Sequence, residues 1–229
     1  MQPESSDAQA DMQETEFDQP SQPTREVVYR GSGNDPYFGL LLAAAISIGL
    51  TPLIAEGASD MRYTITWGML ALFGIMAWLL GNSPRIGQEK PENLAWGVAF
   101  GIILAVPLLA FGGSTLNEAV DLIFRDLQVG TMLAYILFVM PLAETLFFRA
   151  ILQEARPFWA VAIVATIWGV VLFFPLINRG PYPLIVGIAL LMMNSIYGYV
   201  RERNGLAAAW ICQITVNLVL LFIPFASLA

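Results

Sequence analysis

Hydrophobic residues fill most of the chain beyond residue 36 and fall into seven runs that short polar segments separate. A helix needs about 20 residues to cross the hydrocarbon core of a bilayer, and the length of each run matches that requirement. The pattern predicts an all-α fold, a polytopic transmembrane helix bundle of about seven spans. The predicted spans are Tyr37–Ala55, Tyr63–Leu80, Leu94–Phe111, Thr131–Gln153, Phe158–Ile177, Tyr182–Val200 and Leu206–Leu228.

Two parts of the chain have a different pattern. Residues 1–36 are rich in Gln, Ser, Pro and acidic residues and poor in apolar ones, which predicts a disordered segment. In Ser114–Val129 apolar residues recur near helical spacing among polar ones, which predicts an amphipathic helix on the membrane surface. The predicted organisation is a disordered acidic cytoplasmic tail (1–36), N-terminal transmembrane helices (37–112), the surface helix (113–130) and a core bundle (131–229).

The charge of the chain is concentrated in its tail. The whole chain is 57% hydrophobic and carries a net charge of −7, and residues 1–36 hold eight acidic and two basic residues. The remainder is nearly neutral and has no basic patch, so a nucleic-acid partner is not expected. The lipid bilayer is the expected environment.

The positions of Lys and Arg between the spans predict the orientation, because cytoplasmic loops carry the excess of these residues. Seven of them lie on the side that holds the N-terminus and three on the opposite side. The larger set is Arg25, Arg30, Arg85, Lys90, Arg156, Arg201 and Arg203, and the smaller is Arg62, Arg125 and Arg179. The count predicts a cytoplasmic N-terminus. We expect an integral protein of the plasma or inner membrane.

Glu144 and Arg149 are the most unusual residues of the fourth span. A charge at bilayer depth costs about 2.5–3.5 kcal/mol, so such residues face the interior of a bundle and find partners there. Measured from the cytoplasmic ends of their spans at 1.5 Å per residue, Glu144 lies about 13 Å deep, Gln213 about 10 Å and Trp168 about 15 Å. Three helices therefore present polar or aromatic side chains at one level.

Thr145, Asn194 and Asn217 add further polar side chains to these spans. Two interpretations of the set stay open. The first is a site for binding, because intramembrane charges are usually functional. The second is an ion pair between Glu144 and Arg149, together with interhelical hydrogen bonds, that only holds the helices together.

Three short motifs resemble those of the CPBP family, the CAAX-protease and bacteriocin-processing group of intramembrane metalloproteases. Glu144-Thr145-x-x-Phe148-Arg149 is similar to the first family motif, Glu-Glu-x-x-x-Arg. Trp168–Leu172 lies where the family has Phe-x-x-x-His, and Gln213–Asn217 lies where it has His-x-x-x-Asn or His-x-x-x-Asp. The resemblance covers about residues 131–220. It implies a Glu that activates water, histidines that hold the metal or polarise the substrate, and an Asn that stabilises the oxyanion.

The chain departs from the family at the residues that matter most for catalysis. It contains no histidine and one cysteine, Cys212, whereas a catalytic zinc takes three protein ligands from His, Cys, Asp and Glu. Thr145 replaces the second Glu, and Leu172 and Gln213 replace the two histidines. The remnant catalytic positions are Glu144, Arg149 and Asn217, and the residues assigned to binding are Thr145, Trp168, Asn194 and Gln213.

The resemblance and the ligand count together predict a degenerate, catalytically inactive family member. We expect it to act as a membrane scaffold, assembly factor or chaperone-like factor that binds a transmembrane or lipidated protein partner, without a metal or other cofactor. The alternative is an active intramembrane endopeptidase of the CAAX type that uses Glu144, for which zinc would be required.

Overall fold

The computed structural model describes residues 35–50, 52–53, 59–80, 90–177 and 182–228. The predicted disordered tail lies outside the described residues, apart from its last two positions. The described part of the chain is helical and contains no strand, which confirms the all-α prediction. Its helices are α1 Pro36–Leu50, α2 Ser59–Leu79, α3 Pro91–Phe124, α4 Val129–Ala155, α5 Phe158–Ile177, α6 Tyr182–Asn204 and α7 Leu206–Leu228.

Four of the described helices are long and apolar enough to cross a membrane: α3, α4, α6 from Leu184 onward, and α7. Helix α1 and residues Phe158–Phe173 of α5 are apolar but shorter. Large apolar side chains stand exposed on the outside of the bundle, as a hydrocarbon environment requires; Leu41, Phe111 and Leu184 are among them. The chain is an integral membrane protein, and the number of seven spans stays a prediction.

The separate surface helix predicted at residues 113–130 is replaced by an extension of α3, which continues without a break to Phe124. The amphipathic pattern has a different cause, because the apolar face of this extension packs against the bundle. Its buried residues are Ala119, Val120, Ile123 and Phe124.

A stripe of small residues on α3 allows α7 to approach closely. A Cβ atom added at Gly101 would lie 2.7 Å from the Cβ of Thr215, and one added at Gly97 would collide with the carbonyl oxygen of Ala208. Ala105, one further turn along, is fully buried. Small residues four apart bring helix backbones together in membranes, so this stripe fixes the position of α7.

Gly205 reverses the chain between α6 and α7. Its φ of 100° lies in the left-handed region that favours glycine, and its N–H donates to the carbonyl oxygen of Arg201 at 3.1 Å. The turn makes α6 and α7 antiparallel neighbours. Asn194 on α6 and Gln213 on α7 therefore lie at similar heights in the bundle.

An aromatic cluster joins α2 to the rest of the core. Tyr63 and Trp67 are fully buried on α2, and their ring centroids lie 5.3–6.4 Å from each other and from their aromatic neighbours. The Tyr63 hydroxyl donates to the carbonyl oxygen of Ile123 at 2.8 Å. The neighbours are Phe124, Tyr135 and Phe173. The cluster holds the Trp67 indole against α4.

Candidate functional site

Glu144 lies between two π-helical segments of α4. Residues Tyr135–Val139 and Thr145–Leu152 have π-helical hydrogen bonding; the Met140 N–H, for example, donates to the carbonyl oxygen of Tyr135. Single π-helical turns within α-helices occur frequently at functional sites. The segments widen the helix on both sides of the carboxylate.

The Glu144 carboxylate accepts one hydrogen bond from each of two other helices. The Trp67 indole N–H of α2 donates to Oε1 at 3.1 Å, and the Gln213 amide of α7 donates to Oε2 at 2.7 Å. The Trp168 indole N–H of α5 lies near the carboxylate but makes no hydrogen bond of normal geometry with it. The structure thus brings Glu144, Trp168 and Gln213 together.

Gln213 uses both ends of its amide. While its N–H donates to Glu144, its carbonyl oxygen accepts from the Thr145 hydroxyl at 3.1 Å. Its side chain is 4% exposed. Gln213 replaces a family histidine and Thr145 replaces the family's second Glu. Because Thr145 holds Gln213 by a hydrogen bond, the two replacements are complementary.

Arg149 is hydrogen-bonded to Asn194 and forms no ion pair with Glu144. The interpretation of these two described residues as an ion pair is therefore wrong. Arg149 Nη2 donates to Asn194 Oδ1 of α6 at 2.6 Å, and the guanidinium lies over the Tyr197 ring, with Cζ 5.8 Å from the centroid. Asn194 in turn donates to the Thr166 hydroxyl at 3.4 Å. Arg149 is 2% exposed, so this contact stabilises a deeply buried cation.

Asn217 compensates for a missing backbone donor in α4. Because the Met140 N–H donates to Tyr135, the next carbonyl oxygen, that of Ile136, would accept from residue 141 in the same π-helical register. Residue 141 is proline and has no N–H. The Asn217 side-chain N–H donates to the Ile136 oxygen instead, at 3.4 Å.

Leu172, in the place of the other family histidine, belongs to the apolar core. Its side chain is 1% exposed and packs in the cluster that contains Trp67 and Phe173. Its carbonyl oxygen accepts a hydrogen bond from Arg62 Nη2 at 2.6 Å. This position supplies a backbone acceptor to α2 and no metal ligand.

A cavity of about 370 Å³ opens beside these residues. Its polar end is formed by Glu144, Asn194, Gln213, Asn217 and Tyr197. Its walls are apolar side chains of α3 to α7, together with Thr115 of α3. Thr145, Arg149 and Trp168 do not line it. Concave, mostly apolar pockets with a few converging polar groups are the usual form of a binding site.

The side chains around Glu144 do not fit zinc, the metal that the CPBP resemblance implies. The direct partners of Glu144 are an indole and an amide, neither of which is a usual zinc ligand. Among the described residues, no three His, Cys, Asp or Glu side chains are grouped so that they could hold a metal ion. Cys212 is fully buried in the apolar cluster between α3, α6 and α7.

Two residues of the site were missed by sequence reasoning. Trp67 carries the hydrogen bond from α2, and its position in the second span gave no sign of which helix it faces. Tyr197 lies over Arg149 and lines the cavity. Its spacing of three residues from Asn194 was the available signal, since residues three apart share a helix face.

A protein-family model described as "Type II CAAX prenyl endopeptidase Rce1-like" matches residues 127–219. No curated protein and no solved structure matches the chain. The match begins just before α4 and ends just beyond Asn217, so it contains the three motif positions. The resemblance to the CPBP family is therefore confirmed for residues 127–219, the segment that holds every motif residue of the site.

Proposed function

We propose that this membrane protein is a non-catalytic member of the CPBP family, which binds a transmembrane or lipidated partner and acts as a scaffold, assembly factor or chaperone-like factor. The observation that carries the proposal is the hydrogen bonding of Gln213. Its amide joins Thr145 to Glu144 where the family pattern places histidine, so these three side chains form one hydrogen-bonded chain.

Catalysis of peptide hydrolysis needs groups that this site lacks. General acid–base help contributes about 10²–10⁴-fold, and one oxyanion donor contributes about 10²–10³-fold. No imidazole is available for the first, since the chain has no histidine. The candidate oxyanion donor, Asn217, donates to the Ile136 carbonyl oxygen.

The cavity supports a binding role. Its walls are apolar, and its polar end offers a small number of fixed hydrogen-bonding groups. A hydrocarbon chain or a helix side chain gains about 25 cal/mol for each Å² of apolar surface that it removes from water. A ligand that comes from the bilayer gains less, because lipid tails are as apolar as the cavity walls. The shape of the cavity and its polar end therefore decide which ligand binds.

A cleavage assay tests the absence of catalysis. The full chain is reconstituted in liposomes with prenylated CAAX-type peptides, and released fragments are measured by mass spectrometry. We expect no product above that of Glu144→Ala. The chain has no histidine, and the described residues hold no set of zinc ligands, so nothing helps Glu144 to activate water. Glu202→Ala, which removes an exposed acidic residue, is the matched control. A fragment produced by the wild type and by Glu202→Ala, but not by Glu144→Ala, would support the active endopeptidase instead.

We further propose that the N-terminus and the α6–α7 turn lie in the cytoplasm of a cell whose plasma or inner membrane holds the protein. The excess of Lys and Arg on that side supports this orientation. In a Cys212→Ser background, Gln128→Cys should react with an impermeant maleimide in intact cells, whereas Glu202→Cys should react only after lysis. The reverse labelling would contradict the orientation. Both positions are exposed, which makes them a matched pair.

A further inference from the structure

The Glu144 carboxylate is an acceptor that the protein leaves partly unused. It accepts two hydrogen bonds, both from neutral donors, and forms no ion pair with any described residue. An ionised carboxylate has about four acceptor sites. Glu144 is only partly buried and lines the cavity, so its remaining acceptor sites are available to a ligand there.

The cavity leads from this carboxylate to the lipid-facing surface of the bundle. Phe111 of α3 and Ile185 of α6 both line it and are 92% and 46% exposed on the outside of the bundle. Leu116 and Leu190 lie among the apolar wall residues. An amphiphile that enters between α3 and α6 therefore meets hydrocarbon-lined walls first and an anionic acceptor at the inner end.

Three other polar residues of the cavity are engaged within the protein, whereas the Tyr197 hydroxyl has no hydrogen-bond partner among the described residues. Asn194 Oδ1 accepts from Arg149, and the Asn217 side-chain N–H donates to Ile136. Gln213 uses both ends of its amide. The carboxylate therefore attracts donors and repels anions, and the Tyr197 hydroxyl is available to donate to the head of the same ligand.

We propose that the cavity binds a single-chain lipid whose head group donates hydrogen bonds, a long-chain alcohol or amine, with the head at Glu144 and the chain directed towards Phe111 and Ile185. This inference rests on the proposed binding function and names the ligand class of the same site. A charge-assisted hydrogen bond to the Glu144 carboxylate supplies the selectivity.

Four ligands with the same chain test the head-group preference: hexadecanol, hexadecylamine, hexadecyl methyl ether and hexadecanoate. Their binding to the detergent-purified full chain is measured by native mass spectrometry. We expect the alcohol or the amine to bind about 10- to 100-fold more tightly than the ether and the hexadecanoate, the range that one hydrogen bond to a charged group gives. A preference for the amine over the alcohol identifies an ammonium head, and the reverse identifies a hydroxyl head.

Two variants locate the binding. Ala189→Phe places a ring in the cavity and should weaken all four ligands, while Glu144→Gln should reduce the preference for the donor heads. Equal binding of the ether and the alcohol, both lost in Ala189→Phe, would overturn the head-group inference and leave chain binding intact. Absence of binding by all four would overturn the inference as well. The ligand ranking in the wild type decides the question even if Glu144→Gln fails to fold, and peptide cleavage would contradict the proposed function without changing that ranking.

Discussion

Replacing Asn194 by leucine should lower the free energy of unfolding by about 3 kcal/mol, because it leaves a buried guanidinium without its side-chain hydrogen-bond acceptor. Arg149 Nη2 donates to Asn194 Oδ1 at 2.6 Å, and the Arg149 side chain is 2% exposed. The change is measured as the shift in unfolding on titration with a denaturing detergent. Ser195→Ala is the matched control, since the Ser195 hydroxyl donates only within its own helix, to Leu191.

The double variant Arg149→Met, Asn194→Leu separates this cause from a general loss of packing. Replacing both polar partners by apolar groups of similar shape removes the unpaired cation and is often nearly neutral. The double variant should therefore be more stable than Asn194→Leu alone. Arg149→Met alone is measured as well. If the double variant loses as much free energy of unfolding as Arg149→Met and Asn194→Leu lose together, the hydrogen bond is not what stabilises the buried Arg149.

Replacing Asn217 by leucine should cost about 1–3 kcal/mol in the wild type, the penalty for a buried carbonyl group that loses its hydrogen bond. The group is the Ile136 carbonyl, which has no backbone donor in the π-helical register because residue 141 is proline. In the Pro141→Ala background an N–H becomes available to this part of α4. The same substitution of Asn217 should then cost less than about 1 kcal/mol.

The wild type, Asn217→Leu, Pro141→Ala and the double variant are compared by the same denaturing-detergent titration. A smaller cost of Asn217→Leu in the Pro141→Ala background would show that Asn217 supports the backbone of α4. Equal costs in both backgrounds would contradict that role and leave Asn217 available for a chemical one, as the family pattern implies.

The level at which the site residues meet could be predicted from the sequence. Depth along the spans placed Glu144 near Gln213, and the structure joins these residues with a 2.7 Å hydrogen bond. The prediction succeeded because a bilayer fixes helix length and direction, so a position in the sequence becomes a depth. The same constraint explains why the all-α prediction holds.

The partners of Arg149 and of Glu144 could not be predicted in this way. Depth gives no rotation about the helix axis, so Asn194 and Trp67 could not be assigned to either charge. The π-helical segments change the rotation of side chains about the axis of α4. In the sequence, only Pro141 indicates that the helix is irregular there. The continuation of α3 was missed because an amphipathic pattern is the same whether the apolar face meets a membrane surface or a protein core.

The metal content of the purified protein distinguishes a non-catalytic binding site at Glu144 from a metal centre. Elemental analysis is carried out on the detergent-purified full chain, with Glu144→Ala and Cys212→Ser beside it. We expect no stoichiometric zinc in any of the three, because the groups around Glu144 are an indole and an amide in place of zinc ligands. One zinc per chain in the wild type that is lost in Glu144→Ala would contradict this expectation and identify this site as a metal centre.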